Sequence, residues 1–227
     1  RLWRPDWVAF REVFRLGLPI SLTILAEVGL FAAASLMMGW LGVIELASHG
    51  IALQIASISF MIPLSFSQVG TVRFARAVGR KDTEGMDRAG KTVLVLGVGF
   101  AVLAAIIFVL FPEPLISMYL DKSNPDAQLI INYGTPLLAV AAAFQLVDTL
   151  QAIGAGLLRG MKDTQVPMYI AIFSYWAIGV PAAYYFGFIM EFGGQGIWSG
   201  LALGLAVAAV LMNWRYFRRE NLGLMKL

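Results

Sequence analysis

Long uncharged stretches dominate the chain and give the first prediction. Residues 46–72, 92–112, 127–147, 164–190 and 192–214 contain no Asp, Glu, Lys or Arg, and residues 16–44 contain only Glu27. A transmembrane helix needs about 20 mainly apolar residues, and each stretch is long enough. These stretches lack the alternating polar and apolar faces that mark a soluble amphipathic helix. The pattern therefore predicts an all-α, polytopic membrane protein.

Six transmembrane helices are predicted, because the uncharged stretches alternate with short polar or charged connections. Their approximate bounds are 14–40, 46–72, 91–112, 128–157, 165–189 and 196–215. We expect residues 1–227 to form a single lobe, a six-transmembrane-helix bundle. Pro63 and Pro181 lie inside the second and fifth helices, where a proline should kink or loosen the helix. Gly196, Gly200 and Gly204 form a stripe on the last helix that favours close helix packing.

The cations are concentrated in alternate connections, and this predicts an orientation. If both ends of the segment, loop two (73–91) and loop four (159–164) face the cytoplasm, sixteen of the 17 Lys and Arg residues lie on that side. Only Lys122 lies outside. Short cytoplasmic loops carry such an excess of Lys and Arg, so both ends of the segment are expected in the cytoplasm. The same alternation explains the basic loop two, and no nucleic-acid partner is expected.

The scarcity of reactive side chains limits the possible chemistry. The chain has no cysteine and one histidine, His49, so disulfides, thiolate metal sites, cysteine nucleophiles and multi-histidine metal sites are not expected. His49 lies near the outer end of the second span, and the sequence shows no evident partner for it. An intramembrane serine hydrolase needs a Ser–His pair at one depth, and no G-x-S-x-G motif is present. The chain is therefore not expected to be an enzyme, and an intramembrane enzyme is a remote alternative.

Two carboxylates lie deep inside the predicted helices. Of the 14 acidic residues, only Glu27 and Asp148 fall well within a span. Glu27 is twelve residues beyond Arg15 and Asp148 is eleven residues before Arg159, so both lie roughly 16–18 Å from the cytoplasmic surface. A charge at mid-bilayer costs about 2.5–3.5 kcal/mol on insertion scales, and such residues usually face the bundle interior or a water-filled cavity.

The matched depth of these two acids predicts a shared cation site. No Lys or Arg of this chain is expected at that depth, so compensation must come from protons, a small cation, water or another part of the protein. Carboxylates suit a hard cation with oxygen ligands, or a proton. Neutral oxygens are available from Gln54, Ser57, Ser59, Ser65, Ser67, Gln68, Gln145, Thr149 and Gln151. The alternative is that both acids are permanently protonated and bond neighbouring helices.

Three segments resemble the multidrug and toxic compound extrusion (MATE) family, in particular its bacterial NorM-like branch. They are RLGLPISLTILAEVGLFAAASLMMGWLGVIELASHGIALQIAS, VGTVRFARAVGRKDTEGMDRAGK and LVDTLQAIGAGLLRGMKDTQVPMYI. The resemblance covers nearly the whole chain and implies the C-terminal half of a twelve-helix transporter whose N-terminal lobe is missing. It implies Glu27 and Asp148 as the cation site (Na⁺ if sodium-coupled), Gln54 as a polar position of the drug cavity and Asp126 as an acidic drug contact.

The function implied by the resemblance is secondary active antiport. An amphipathic, often cationic, compound would leave the cell in exchange for Na⁺ or H⁺ across the bacterial cytoplasmic (inner) membrane, with no organic cofactor. A flippase for lipids or lipid-linked oligosaccharides is the nearest alternative. It would require Lys or Arg within the cavity to hold an anionic pyrophosphate carrier, and no predicted span has one internally. A purely structural membrane subunit would not explain the paired acids. The sequence leaves the coupling ion and the compound open.

Overall fold

The computed structural model describes residues 6–121 and 123–224, which form a bundle of helices. The helices are α1 (Trp7–Leu41), α2 (Val43–Gly79), α3 (Thr83–Leu110), α4 (Pro112–Ser117), α5 (Ala127–Gly160), α6 (Gln165–Ile172), α7 (Val180–Tyr184) and α8 (Gly193–Phe217). Six segments are long and apolar enough to cross a membrane, since α6, α7 and the residues around them form one fifth span, Gln165–Ile189. The predicted all-α bundle of six spans is confirmed.

The helices extend past the predicted bounds because capping residues and charged turns continue them beyond the apolar stretches. α1 begins seven residues earlier than expected, since the Asp6 carboxylate accepts hydrogen bonds from the Val8 and Ala9 N–H groups. α3 begins eight residues earlier, since Asp82 caps it by accepting from the Gly85 N–H. Side-chain oxygens at this position satisfy N–H groups that the helix leaves without partners. The predictions for Arg1, Arg4, Lys122 and Lys226 lie outside the described residues.

Helix α5 is the centre of the bundle. It packs against α2, α3 and α8, and a larger share of it is buried than of the other spans. Hydroxyl groups join it to α2: Ser67 donates to the Ala152 carbonyl at 2.7 Å and Thr71 to the Gly156 carbonyl at 2.8 Å. Gly156 permits this approach, because a Cβ there would lie 2.3 Å from the Ser67 Oγ. These hydroxyls therefore serve helix packing.

The fifth span departs from regular α-helix on both sides of Pro181. Phe173–Gly179 and Tyr185–Ile189 are π-helical, and the Val180 N–H bonds the Tyr175 carbonyl five residues back. A proline ring clashes with the carbonyl four residues before it and removes a donor, so wider turns next to Pro181 relieve that clash. Pro63, in contrast, lies within an uninterrupted α2. The expected loosening is thus present at Pro181, whereas α2 remains helical through Pro63.

The predicted glycine stripe of α8 is the surface on which the fifth span packs. A Cβ on Gly196 would lie 2.4 Å from the Phe186 carbonyl oxygen, and one on Gly200 would lie 2.1 Å from the Ala183 backbone nitrogen. Real side chains do not reach such distances to backbone, so only glycine allows this backbone-to-backbone contact. The stripe holds the fifth span in place against α8, and the fifth span also packs against α1.

One end of the bundle carries loop two, loop four, the start of α1 and the end of α8. Ion pairs connect these parts of the chain. Arg215 of α8 bonds Asp163 of loop four at 2.6 Å, and Arg219 bonds Asp87 near the start of α3. Lys162 of loop four bonds Glu12 near the start of α1. The alternation of connections predicted from the charge pattern therefore exists in the fold, because these groups share one end.

Replacing Gly200 with alanine should lower the melting temperature of the full-length protein by about 5 °C or more, because the fifth span must move away from α8. Gly99→Ala is the matched control: Gly99 lies in the middle of a span, and nothing lies within 4 Å of an added Cβ. Melting curves of both variants in the same detergent make the comparison. Equal melting temperatures for the two would contradict the packing described here.

Candidate functional site

An aromatic contact places the two intramembrane acids at one depth. The Phe31 ring of α1 packs edge-on against the Phe144 ring of α5, with centroids 5.9 Å apart. Glu27 precedes Phe31 by one turn, and Asp148 follows Phe144 by one turn. Because α1 and α5 run in opposite directions, both steps lead about 6 Å toward the end of the bundle that carries loops two and four. The two acids therefore lie on the facing sides of their helices.

The surroundings of Asp148 leave buried oxygens without hydrogen-bond partners. The Asp148 side chain is 4% exposed, and its Oδ1 has no partner among the described residues. The Tyr175 hydroxyl, on the π-helical part of the fifth span, is also buried and without a partner there. The Glu27 and Asp148 carboxylates and the Tyr175 hydroxyl lie close enough together for a charge on either acid to affect the other two groups. A buried polar atom without a partner is costly, and a bound cation, proton or water would satisfy these oxygens.

Arg159 corrects one expectation. The sequence predicts no Lys or Arg of this chain at the depth of the acids, with Arg159 at the cytoplasmic end of the fourth span. In the structure the partly buried Arg159 guanidinium attracts the Glu27 carboxylate through space. The long arginine side chain explains the difference, since its charged head can extend about a turn or more away from its own backbone. Glu27 therefore has a cation of this chain nearby, although the two groups form no salt bridge.

The neutral residues predicted beside the acids have different partners in the structure. Gln145 donates to the Ser59 Oγ at 3.3 Å, and Gln151 contacts the Met212 sulfur at 3.8 Å. The Thr149 hydroxyl has no partner in the described part of the chain, and its methyl group faces Gly97 of α3. Ser67 bonds α5 backbone, and Ser57, Ser65 and Gln68 lie on α2 outside the buried core. The Gln145 Oε1, the Thr149 Oγ1 and the Tyr175 hydroxyl are thus neutral buried oxygens of this region that have no partner among the described residues.

The two residues assigned to a drug cavity lie away from the acid pair. Gln54 is exposed on α2, in a stripe with Met61, Ser65 and Gln68 that no other helix of the lobe covers. Asp126 is exposed at the N-terminal end of α5, where its N–H bonds the Asn124 side chain. Along α5 it is 22 residues, about 33 Å, from Asp148. The structure therefore does not bring Asp126 to the acid pair.

His49 has buried partners that the sequence did not reveal. Trp198 of α8 donates its indole N–H to the His49 Nδ1 at 3.0 Å, and Nε2 lies 2.9 Å from the Ser35 Oγ. The Ser35 hydroxyl itself donates to the Phe31 carbonyl, so Nε2 must carry the proton and the imidazole is neutral. Trp198 also packs edge-on against Phe144. His49 thus supports the aromatic contact that aligns the two acids.

Neither Tyr175 nor Arg159 was identified as a site residue from the sequence. Tyr175 is one of several aromatic residues in the fifth span, and nothing in the local pattern separates it from the exposed Tyr169 or Trp176. It lies in the π-helical part of the fifth span, Phe173–Gly179, and its closeness to Asp148 depends on how that span packs. Among the described residues no cluster of three or more acidic or histidine side chains is present, so the site has two carboxylates.

The fold and this site define a class of protein: a multi-pass α-helical membrane protein with a pair of acids in its interior. The MatE family model matches residues 19–185, which is most of the chain. The chain therefore belongs to the MatE family, the multidrug and toxic compound extrusion family that the sequence resembles. This is a family of transporters and not of enzymes.

Curated relatives match this chain over about half of their own length. The chain is 58% identical over 218 residues to the "Probable multidrug resistance protein NorM" of Rhizobium meliloti (strain 1021), which covers 96% of the chain and 47% of the relative. It is 40% identical over 218 residues to the "Multidrug resistance protein NorM" of Burkholderia vietnamiensis, with 96% and 47% covered. The chain thus spans about half the length of the curated relatives it matches.

Solved structures share the fold at low sequence identity. A crystal structure of MATE in the straight conformation superimposes with a TM-score of 0.86 at 19% identity, over 97% of this chain and 48% of that one. An outward-facing multidrug resistance MATE family transporter gives the same TM-score at 19% identity, over 98% and 49%. At this identity the likeness concerns the fold, which again corresponds to about half of each solved chain.

Proposed function

We propose that this lobe belongs to a secondary active antiporter that exports amphipathic, often cationic, compounds in exchange for Na⁺ or H⁺. The observation that carries the proposal is the convergence of Glu27 and Asp148, aligned by the Phe31–Phe144 contact, with a Tyr175 hydroxyl that has no partner among the described residues. Hard cations prefer oxygen ligands, and two carboxylates with one hydroxyl offer such a set. The names of the curated relatives, multidrug resistance proteins, support the export of drugs.

The site holds more negative charge than the apolar helices around it tolerate. Placing two carboxylates together in a low dielectric is costly, so at least one must bind a proton or a cation. Arg159 attracts Glu27 alone, which leaves Asp148 and Tyr175 as the groups that gain most from an incoming ion. Asp148 is buried whereas Glu27 is partly exposed, so an ion reaches the pair from the Glu27 side.

Exchange requires that ion and drug favour different conformations. If the ion stabilises one arrangement of the two lobes and the drug the other, each promotes release of its counterpart. Rocking of one lobe against the other would then expose the site alternately to the two sides. The uncovered stripe of α2 with Gln54 and Met61 is the surface we assign to the drug cavity, because methionine adapts to varied apolar shapes. Asp126 would contact a cationic drug at the outer end of the cavity.

Replacing the acids by neutral isosteres, Glu27→Gln and Asp148→Asn, should reduce ion-driven export by the full-length protein to the level of empty vesicles. The amide cannot release a proton or bind a cation as a carboxylate does. Drug efflux from proteoliposomes is measured under a Na⁺ gradient at fixed pH and under a pH gradient without Na⁺, which also identifies the ion. Glu113→Gln, at an exposed position outside the spans, is the control. Gradient-driven export that survives both substitutions would refute the assignment of these acids.

Replacing Tyr175 with phenylalanine keeps the buried ring and removes the oxygen. The half-saturating concentration of the coupling ion should rise about 3- to 10-fold, because one hydrogen-bonding or coordinating oxygen is worth about 1 kcal/mol. Tyr169→Phe is the matched control, since Tyr169 lies in the same span and is 65% exposed. Ion titrations of drug efflux for the two variants test the role of Tyr175. Indistinguishable titrations would remove Tyr175 from the site.

We also propose that the end of the bundle with loops two and four faces the cytoplasm of a bacterial inner membrane. The excess of Lys and Arg at that end supports this orientation. A single cysteine at Ser123, in the connection before α5, should react with a membrane-impermeant maleimide on intact spheroplasts, and one at Glu84 should react only after lysis. The full-length background must contain no other reactive thiol. The reverse labelling pattern would show the opposite orientation.

A further inference from the structure

A groove between α2 and α3 combines arginines with an apolar floor and takes no part in the site described above. It has a volume of about 730 Å³. Arg73, Arg76 and Arg80 line it from α2, and Arg88 lines it from α3. One carboxylate, Asp82, also lines the groove, and its Oδ1 accepts the Gly85 N–H that begins α3. Four guanidinium groups therefore face a single carboxylate that is already engaged.

The arginines on α2 make no ion pair among the described residues. Arg88 pairs with Glu84, and both side chains are more than 70% exposed, so that pair is readily exchanged. Arg73, Arg76 and Arg80 form neither a salt bridge nor a side-chain hydrogen bond in the described part of the chain. A positive-inside bias explains why such residues lie at this end. It does not explain why they share one groove.

The groove changes from charged to apolar along both helices. On α2 the lining residues Phe66, Val69, Arg73, Arg76 and Arg80 recur at intervals of three and four, so they form one stripe. The arginines lie toward the end of the bundle, and the apolar pair lies toward its middle. On α3, which runs the other way, the lining passes from Arg88 to Val93 and Leu96 in the same direction.

The arginines lie where the headgroup of an inner-leaflet lipid would lie, and the apolar residues lie where its acyl chain would lie. Phe66 and Arg80 are fourteen residues apart, about 21 Å along the helix, which spans the headgroup and the upper part of an acyl chain. Val69 and Leu96 are 58% and 49% exposed, so an acyl chain lying in the groove would cover apolar surface. A small soluble anion would use the arginines and leave this floor uncovered. Basic pockets between transmembrane helices on the cytoplasmic side are suited to multiply charged phospholipid headgroups.

We propose that the α2–α3 groove binds an anionic phospholipid, with its phosphates on Arg73, Arg76, Arg80 and Arg88 and an acyl chain along Phe66, Val69 and Leu96. Arg73 and Arg80 lie about 10 Å apart along α2. A lipid with two phosphates therefore fits the arginine row better than a lipid with one. The proposal does not depend on ion coupling at Glu27 and Asp148.

The test is lipid binding to the purified, delipidated full-length protein, by native mass spectrometry and by melting temperature. Cardiolipin should bind and raise the melting temperature more than phosphatidylglycerol, and phosphatidylcholine should have little effect. The double substitution Arg73→Gln with Arg76→Gln should weaken cardiolipin binding about tenfold or more. The control with equal charge loss is Lys81→Gln with Arg218→Gln, since neither residue lines the groove.

Several outcomes distinguish the sources of the phosphate. Equal cardiolipin affinity in the groove variant and the control would overturn the proposal. Inorganic phosphate or pyrophosphate that protects the protein as well as the lipid at equal phosphate concentration would show a soluble-anion site and also overturn it. Val69→Trp fills the apolar floor and should weaken lipid binding with the arginines intact. If the double variant does not fold, Arg76→Gln alone and Val69→Trp give the same comparison.

Discussion

Two carboxylates in the middle of an apolar bundle, Asp148 buried and Glu27 partly so, are the constraint on which the proposed function depends. Water is the natural solvent of a carboxylate, and the helices around Glu27 and Asp148 offer few hydrogen bonds in exchange. The energetic cost is lowered when a positive charge enters and raised again when it leaves. A site of this kind is sensitive to ion occupancy for a simple electrostatic reason, and this sensitivity is what coupling requires.

The other helices of the lobe hold the residues of that site in place. α5 lies at the centre and holds Asp148, and α8 holds the fifth span through a stripe of glycines. Because Pro181 disturbs the regular helix, the fifth span adopts π-helical turns, and one of these contains Tyr175. Such turns are frequently found at functional sites. Neutral His49, bonded to Trp198 and near Ser35, fixes the aromatic contact between α1 and α5 that sets the depth of the acids.

The part of the chain that the structure describes has both paired and unpaired charged side chains at the end of the bundle with loops two and four. At the end with loops two and four, ion pairs connect α8 to loop four and to α3. In the α2–α3 groove at the same end, Arg73, Arg76 and Arg80 form no such pair among the described residues, and this contrast within one surface favours a ligand from outside the chain. The internal site and the groove are therefore separate features: one depends on the scarcity of charge compensation, and the other on an excess of positive charge next to apolar surface.

The sequence by itself determined the class of fold, the number of spans and the identity of the two acids. Each of these depends on local composition, because about 20 apolar residues suffice to define a span and an acid within one is conspicuous. The common depth of Glu27 and Asp148 also followed from counting residues along two antiparallel helices. The helix ends were harder to predict from the sequence, since caps such as Asp6 and Asp82 lie outside the apolar stretches.

Only the tertiary structure decided which neighbours the acids have. Tyr175 approaches them from the fifth span, Arg159 acts on Glu27 because its side chain extends along the bundle, and His49 bonds Trp198, which lies 149 positions further along the chain. The packing of the helices also places Asp126 and Gln54 away from the acid pair. Contacts between distant segments depend on the rotation and packing of whole helices. Hydrophobic runs in a transmembrane chain are apolar on nearly every side, so their sequence carries little information about which side faces which neighbour.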